Sequence, residues 1–323
     1  MPRILHTARY IGTPWEILKS VVPNGFVVET LDELSYENLL CQAVNADYLL
    51  VSGRLPIDEG VLSSAQHLKM IQRTGVGADM LDRDAIKRHG IPIYVNAGVN
   101  AQSVAEHTLT LMLAALKRLP QINAQTHNGV WEKQKVGVTT HELKGKTIGL
   151  VGMGNIGRLV AAMLQPFGAK VVYTDLFRQK EEVEEKLGLT YCESFEAILP
   201  QCDILSFHCP LTMENTEILN KHTLSLMKEG AIIVNTARGK LINPNDLYEA
   251  LVVGKLSAAA LDTHYEEPLK EGYKLAELDN VILTPHIGGV SYEAFRQMMA
   301  GAIENIVAFE EGRLSDIESK RII

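Results

Sequence analysis

The chain has 323 residues, 46% hydrophobic and 22% charged, which is typical of a globular protein with two domains. Its net charge of −8 argues against a nucleic-acid-binding surface. No apolar run reaches the ~18 residues of a membrane span, and the N-terminus lacks the apolar core of a secretory signal, so we expect a cytoplasmic protein. The four cysteines lack C-x-x-C spacing and the ten histidines are scattered, which predicts reduced thiols and no metal site.

Residues 1–100 alternate between short β-prone runs and helical stretches. The predicted strands are 4–7, 26–30, 46–52, 69–73 and 91–95, and the predicted helices are 14–21, 36–45, 59–65 and 82–89. Alternation of this kind predicts a parallel sheet covered by helices. These residues contain no G-x-G-x-x-G, so they form an α/β unit without a dinucleotide-binding turn.

Residues 101–119 have the strongest helical pattern in the chain, and Pro120 marks the end of that helix. The more polar stretch 121–143 predicts a projecting helix and loop that contain Trp131. If Trp131 faces solvent, it is a candidate for a partner surface. A buried tryptophan is the commoner case.

Residues 146–175 contain a G-x-G-x-x-G turn between two β-prone runs, 147–151 and 170–174, with an amphipathic helix at 156–167. This is the pattern of a dinucleotide-binding site. Gly152 allows a sharp turn, Gly154 lets a pyrophosphate approach the backbone, and Gly157 lets the helix pack close to the sheet. The helix N-terminus offers free N–H groups to the phosphates.

Asp175, at the end of the second run, predicts which dinucleotide binds. Its carboxylate can accept hydrogen bonds from the ribose hydroxyls and would repel a 2′-phosphate, which favours NAD over NADP. Arg178 is close enough in sequence to soften this preference.

The remaining residues resume the alternation, with predicted strands at 203–209, 231–237, 257–262 and 281–284 and predicted helices at 221–227 and 243–253. Together with the two runs beside Gly152, these make six strands. Six parallel strands with crossover helices predict a doubly wound domain whose ligands lie at the carboxyl ends of the strands. A long helix is predicted at 291–312, and we expect it to pack back on the N-terminal unit.

Three polar side chains follow predicted strand ends, where such a fold binds its ligands: Arg238, Glu267 and His286. These are the groups that a hydride-transfer site for a 2-oxo acid needs. An arginine can bind the substrate carboxylate and polarise the adjacent carbonyl. A histidine can donate a proton to the alkoxide that forms, and a carboxylate can orient the imidazole. Each residue alone is ambiguous. The alternatives are a surface ion pair for the arginine, a loop histidine, and a solvated acid.

Short motifs occur in order along the chain: 74–79, Asn96 with 105–109, 152–157, 207–212, 234–239, 260–262, 266–268 and 284–289. In these residues the chain resembles the D-isomer-specific 2-hydroxyacid dehydrogenase family along nearly its whole length. The resemblance implies an α/β protein of two doubly wound parallel-sheet domains. A Rossmann NAD-binding domain, 101–287, is inserted in a flavodoxin-like substrate-binding domain, 1–100 and 288–323.

The resemblance also implies an activity: hydride transfer between a nicotinamide and C2 of a small D-2-hydroxy or 2-oxo acid. It implies that Arg238, Glu267 and His286 are the catalytic set and that the backbone of Val76 and Gly77 binds the substrate carboxylate. The implied NAD contacts are Gly152, Gly154, Asn155, Ile156, Gly157, Asp175, Cys209, Thr236, Ala237 and Asp262. For Cys209 the alternative is that only its backbone matters for NAD binding. His208 is expected to be a packing residue. A homodimer through 101–143 is also implied.

Two residues bear on the choice of substrate. Arg54, at the end of 46–52, is expected to bind an anionic substrate tail, or else to pair with Asp58 or Glu59. His264 stands where the family often has an aromatic residue. It either adds a titratable group near the cleft or is exposed at the surface.

Two other functions remain open from the sequence. The first is an NAD-sensing interaction protein on the same scaffold, similar to the corepressors of this family, which keep the catalytic set. The second is a formate or phosphite dehydrogenase. That interpretation is disfavoured because formate enzymes have a glutamine where Glu267 stands.

Overall fold

Residues 1–77 and 80–323 are described by a computed structural model, in which the chain divides into two compact units. Unit 1 comprises Met1–Asn100 and Ser291–Ile323, and unit 2 comprises Ala101–Val290. The predicted boundary at 287/288 lies close to the second division. Ala78 and Asp79 of the 74–79 motif lie outside the described residues.

Unit 1 alternates strands and helices along the chain. Its elements up to residue 100 are β1 (Arg3–His6), α1 (Thr13–Val21), β2 (Val27–Thr30), α2 (Tyr36–Ala43), β3 (Tyr48–Val51), α3 (Glu59–Ser64), β4 (Met70–Arg73), α4 (Arg83–Arg88) and β5 (Ile93–Tyr94). In the described part of this unit, five parallel strands form one sheet in the order β2-β1-β3-β4-β5. This is the flavodoxin-like strand order, as the sequence predicts.

Unit 2 begins with three helices and continues as a second alternating unit. Its elements are α5 (Ala101–Lys117), α6 (Leu119–His127), α7 (Lys133–Gly137), β6 (Thr147–Val151), α8 (Asn155–Leu164), β7 (Lys170–Thr174), α9 (Glu181–Leu187), β8 (Leu189–Tyr191), α10 (Phe195–Ile198), β9 (Ile204–Phe207), α11 (Lys221–Ser225), β10 (Ala231–Asn235), α12 (Pro244–Val252), β11 (Leu256–Leu261) and β12 (Val281–Leu283). The chain then returns to unit 1 with α13 (Tyr292–Glu310).

The sheet of unit 2 has seven parallel strands in residues 101–290, all of which the structure describes, in the order β12-β11-β10-β9-β6-β7-β8. Six strands are predicted from the sequence, and that number is wrong by one. The missed strand is β8, a three-residue edge strand. Its exposed Thr190 lies between half-buried Leu189 and Tyr191, so it lacks the continuous apolar run that marks the central strands.

Both faces of each sheet are covered. In unit 1, Val51 and Ile71 pack among residues of α2, α3 and α4, whereas Leu50 and Met70 pack against residues of α1 and α13. In unit 2, Leu150 packs among residues of α5 and α8 on one face, and the other face packs against α10, α11 and α12. A parallel sheet covered on both faces leaves its strand ends as the place for ligands.

The segment after α5 is exposed. Trp131 is 82% exposed and Val138 is 81% exposed, so the commoner alternative of a buried tryptophan is wrong for this chain. Helices α6 and α7 bury none of their residues. Across residues 1–77 and 80–323, the structure contains no helix with the length and apolarity required to cross a bilayer.

Candidate active site

The glycine turn follows β6 at the carboxyl edge of the sheet of unit 2. Gly152 has φ 100°, and a Cβ on it would lie 2.7 Å from the backbone nitrogen of Cys209. A Cβ on Gly157 would overlap the carbonyl oxygen of Gly152. Both positions therefore require glycine for the fold itself.

Gly154 differs from the other two glycines because no described protein atom lies within 4 Å of the place where its Cβ would be. It is the N-cap of α8, and no side chain in the described residues caps that helix. Asn155 and Ile156 form its first turn, with Asn155 exposed. Free N–H groups that face open space suit the phosphates of a dinucleotide.

Asp175 follows β7 and lies beside the same turn. Its two carboxylate oxygens accept hydrogen bonds from the backbone N–H of Met153 at 2.6 Å and of Phe177 at 3.0 Å. Each carboxylate oxygen can accept a further bond, so both remain able to meet a ribose hydroxyl.

Arg178 is held by Glu184 in a two-point ion pair, with Nε–Oε1 at 3.0 Å and Nη2–Oε2 at 2.8 Å. Its guanidinium also lies over the ring of Tyr191. The hydrogen bonds from Arg178 and Tyr173 lower the pKa of Glu184 to about 2. Arg178 is therefore engaged by residues of α9 and β8, which argues against the softened NAD preference that its sequence position allows.

His208 and Cys209 follow β9 and pack against the glycine turn. Burial lowers the pKa of His208 to about 3, and its Nε2 lies 3.0 Å from the hydroxyl of Ser206. Burial raises the pKa of the Cys209 thiol to about 11, which leaves it unreactive. Both side chains are packing groups in this structure.

The predicted acid/base pair, His286 and Glu267, joins two loops at the carboxyl edge of the same sheet. His286 Nδ1 lies 2.7 Å from Glu267 Oε2. A carboxylate can only accept, so Nδ1 carries a hydrogen and Nε2 is left to exchange a proton. His286 has φ 56°, a sparsely populated conformation for a residue other than glycine, of the kind found at functional sites.

The surroundings of this pair favour a protonated imidazole. The hydrogen bond to Glu267 raises the pKa of His286, against the opposing effect of burial; the charge of Asp262 also raises it, whereas that of Arg238 lowers it. Burial raises the pKa of Glu267, but the hydrogen bonds from His286 and from the backbone of His264 outweigh it and leave the pKa below its usual value.

Arg238 follows β10 in the same unit. Its Nη1 donates to the carbonyl oxygen of Ala237 at 2.7 Å, and its own carbonyl accepts from Asn235 Nδ2 at 2.9 Å. Asn235 also binds the N–H of Ala237 through Oδ1, so this buried side chain shapes the turn. His286 and Glu267 are in direct contact, and the charge of Arg238 lowers the pKa of His286; the grouping of all three as a catalytic set stays a prediction.

Asp262, which follows β11, is only 1% exposed. Burial raises its pKa, but the hydrogen bonds that it accepts from His107, Thr284, Ile287 and Gly288 prevail and lower the pKa to about 2. In this structure its carboxylate is used to hold the loop that carries His286. Its contact with a nicotinamide stays a prediction.

The predicted substrate residues belong to unit 1. Val76 is 54% exposed after β4, and the carbonyl of Gly77 accepts from Arg73 Nε at 2.5 Å. Arg54 is exposed after β3. Burial lowers the pKa of His6, and the charge of Arg54 lowers it further. Burial raises the pKa of Tyr10, and the charge of Arg54 opposes that rise.

The alternative partners of Arg54 are engaged elsewhere. Asp58 caps α3 and accepts from the Tyr36 hydroxyl at 2.6 Å. Glu59 pairs with Arg88 and His89. These contacts weaken the ion-pair alternative for Arg54.

Sequence reasoning assigned no role to several residues that surround the acid/base loop. Ser103, His107 and Thr108 lie on the first half of α5 and bind Gly288, Thr284 and Thr236 respectively. His107 and Thr108 belong to the motif 105–109, which was visible in the sequence, but their contacts depend on the docking of α5 against the sheet. His264 is 6% exposed, so the alternative of a surface histidine is wrong.

A family model described as "D-isomer specific 2-hydroxyacid dehydrogenase, NAD binding domain" matches residues 109–288. A glyoxylate reductase of Aeropyrum pernix is 36% identical, with 97% of this chain and 94% of that protein covered. A D-3-phosphoglycerate dehydrogenase of Methanocaldococcus jannaschii is 40% identical over 90% of this chain and 54% of its own length. The chain thus spans about half the length of the phosphoglycerate dehydrogenases it matches.

Solved structures agree with the two-unit fold. A D-lactate dehydrogenase from Aquifex aeolicus, crystallised with NAD and lactic acid, has a TM-score of 0.84 at 29% identity and covers 99% of this chain and 98% of that one. The family model covers more than half of the 323 residues, and the reductase aligns along nearly the whole chain. The chain belongs to the D-isomer specific 2-hydroxyacid dehydrogenase family, and the matched region is its NAD-binding domain.

Proposed function

We propose that this protein is an NAD-dependent oxidoreductase that transfers a hydride between the nicotinamide and C2 of a small D-2-hydroxy acid or 2-oxo acid. The observation that carries the proposal is the 2.7 Å contact between His286 and Glu267, in the same unit as Arg238 and the glycine turn. A histidine held by a carboxylate is an acid/base group, and a nearby arginine suits a 2-oxo acid.

The chain would act through three side chains. Arg238 binds the substrate carboxylate and polarises the adjacent carbonyl. His286 gives its Nε2 proton to the oxygen that becomes the alkoxide, and it takes that proton back when a hydroxy acid is oxidised. Glu267 accepts from Nδ1 and stabilises the protonated ring. When bound, the nicotinamide supplies or accepts the hydride.

We assign the cofactor to residues of unit 2. The pyrophosphate would be held by the glycine turn and the start of α8, at Gly152, Gly154, Asn155, Ile156 and Gly157. Asp175 would bind the ribose. The nicotinamide half would be held by Cys209, Thr236, Ala237 and Asp262. The backbone N–H groups of Val76 and Gly77 would bind the substrate carboxylate, with Arg54 directed to an anionic tail. The two compact units of the structure support residues 1–100 and 288–323 as the substrate-binding domain and 101–287 as the NAD-binding domain.

We also propose a homodimer formed through residues 101–143. The support is the exposure of large apolar side chains in this segment, with Leu119 57%, Trp131 82% and Val138 81% exposed. Exposed apolar side chains of this size on a chain with net charge −8 favour an apolar protein contact.

The test of the function is an initial-rate panel. NADH absorbance is followed with glyoxylate, hydroxypyruvate, pyruvate and a bulkier 2-oxo acid, and the panel is repeated with NADPH. We expect at least one 2-oxo acid to be reduced with NADH. If NADH binds but no member is turned over, the NAD-sensing alternative is favoured and the proposal fails.

A further inference from the structure

The loop that carries His286 is fastened on both sides by one buried carboxylate. Asp262 Oδ1 accepts from the Thr284 hydroxyl at 2.6 Å and from the N–H of Ile287 at 2.9 Å. Its Oδ2 accepts from the N–H of Gly288 at 2.8 Å. The left-handed backbone of His286 therefore lies between two anchored points, Thr284 before it and residues 287–288 after it.

His107 reaches this network from helix α5. Its Nε2 lies 3.1 Å from the Thr284 hydroxyl and 3.4 Å from Asp262 Oδ1. The single hydrogen of the Thr284 hydroxyl is directed to Asp262, so the ring nitrogen of His107 must donate. One turn earlier, the Ser103 hydroxyl donates to the carbonyl of Gly288 at 2.8 Å. Helix α5 thus holds both ends of the loop.

His264 also holds Thr284, through the main chain of that residue. Its Nε2 donates to the backbone carbonyl of Thr284 at 2.9 Å, since a carbonyl can only accept. Its own backbone N–H donates to Glu267 Oε1 at 2.9 Å. The ring is buried and packs edge-on against Tyr273. His264 therefore contacts Thr284 through its ring and Glu267 through its backbone N–H.

We propose that His107 and His264 are positioning residues that hold Thr284 by its side chain and by its main chain, and so fix His286 against Glu267. Sparsely populated backbone conformations persist only where the surrounding contacts over-determine them, and these two histidines supply such contacts at His286. The proposal rests on the proposed acid/base role of His286. Neither histidine touches the reacting atoms, so both act through Thr284.

The charged and titratable groups around His286 are known from the structure. Glu267 and Asp262 raise its pKa, and Arg238 lowers it. His107 and His264 reach the pair through Asp262 and Glu267, from α5 and from the loop after β11. Loosening the loop weakens the bond to Glu267, which is the main cause of the raised pKa.

Kinetics of two isosteric variants test the proposal. His107→Phe and His264→Phe keep an aromatic ring and remove its N–H donor. We expect kcat for 2-oxo acid reduction to fall about 10- to 100-fold, because small displacements of a reacting group are costly, with KM for NADH changed less than about two-fold. The descending limb of the pH profile shifts to lower pH. His107→Gln and His264→Gln, which keep a donor, restore most of the rate.

A double-mutant cycle separates the two contacts. Thr284→Val removes the hydroxyl that meets His107 and keeps the carbonyl that meets His264. The effects of His107→Phe and Thr284→Val should therefore be strongly non-additive, whereas those of His264→Phe and Thr284→Val should add. Additive effects in the first pair contradict the proposed route through the hydroxyl.

Amide hydrogen exchange of residues 286–290 tests the proposal without an activity assay. We expect faster exchange in both phenylalanine variants, wild-type exchange in the glutamine variants, and no change in the exposed control His222→Gln. If wild type reduces no 2-oxo acid, the proposed function fails while this measurement still stands. Wild-type exchange in folded phenylalanine variants, with an unmoved pH limb, overturns the proposal. If a phenylalanine variant does not fold, faster exchange in its glutamine variant overturns it.

Discussion

Two glycines of the same turn should respond to alanine in opposite ways. Gly154→Ala places a methyl group where no described protein atom lies within 4 Å, at φ −75°, which alanine readily adopts. Gly152→Ala places the methyl 2.7 Å from the backbone nitrogen of Cys209, at φ 100°. The first change should affect the bound cofactor, and the second should affect the fold.

The magnitudes follow from these positions. In Gly154→Ala, the lower entropy of the unfolded chain contributes about 0.4–1 kcal/mol and the poorer N-cap costs a similar amount, so stability should change by less than ~1 kcal/mol. If the methyl displaces the pyrophosphate from one N–H, a charge-assisted hydrogen bond of about 2–3 kcal/mol is lost. NADH affinity should then fall roughly 30- to 150-fold. In Gly152→Ala, the backbone strain alone should cost about 1–3 kcal/mol.

Denaturant unfolding and NADH fluorescence titration measure the two quantities. Gly137→Ala serves as the matched control, since no described protein atom lies within 4 Å of its added methyl either and it is remote in sequence from the turn. The reasoning is refuted if Gly154→Ala binds NADH as tightly as wild type, or if it unfolds as easily as Gly152→Ala.

Three further outcomes can be measured. His286→Ala should lower turnover ~10²–10⁴-fold and leave NADH binding nearly intact in titration; equal turnover would remove His286 from the acid/base role. Reduction needs protonated His286, so the rate of reduction should fall as pH rises through the raised pKa of His286. Glu267→Gln should move that fall to lower pH, and an unmoved pH profile would count against the pairing of His286 with Glu267. Asp175→Ala should raise the rate with NADPH relative to the rate with NADH. Adding Glu184→Gln, which weakens the hold on Arg178, should raise this ratio further in the double variant. An unchanged ratio would contradict the roles given to Asp175 and Arg178.

The sequence predicted the turn and the strand ends because both are local. The run 147–151, the glycines and Asp175 have spacing that only a strand, turn, helix and strand satisfy. The catalytic set could be suggested in the same way, since each of its members follows a strand of one parallel sheet. The edge strand β8 was missed because edge strands are short and half exposed, and so carry little apolar pattern.

The contacts around Thr284 could not have been predicted by spacing. His107 lies 177 positions before Thr284, and His264 lies 20 positions before it, and both contacts depend on side-chain directions after packing. Likewise, the ion pair that engages Arg178 depends on how α9 folds back after β7. Sequence pattern locates elements and strand ends, whereas these networks are set by tertiary packing.

The central claim is that this chain moves a hydride to C2 of a 2-oxo acid with proton donation from His286. NADH carrying deuterium at the transferred C4 position should be mixed with the best 2-oxo acid of the panel other than glyoxylate, whose product has no D or L form. The product is then analysed by mass spectrometry and chiral chromatography. We expect a D-2-hydroxy acid with one deuterium on C2, and we expect His286→Ala to suppress its formation. A product without deuterium at C2, or one of L configuration, would contradict it.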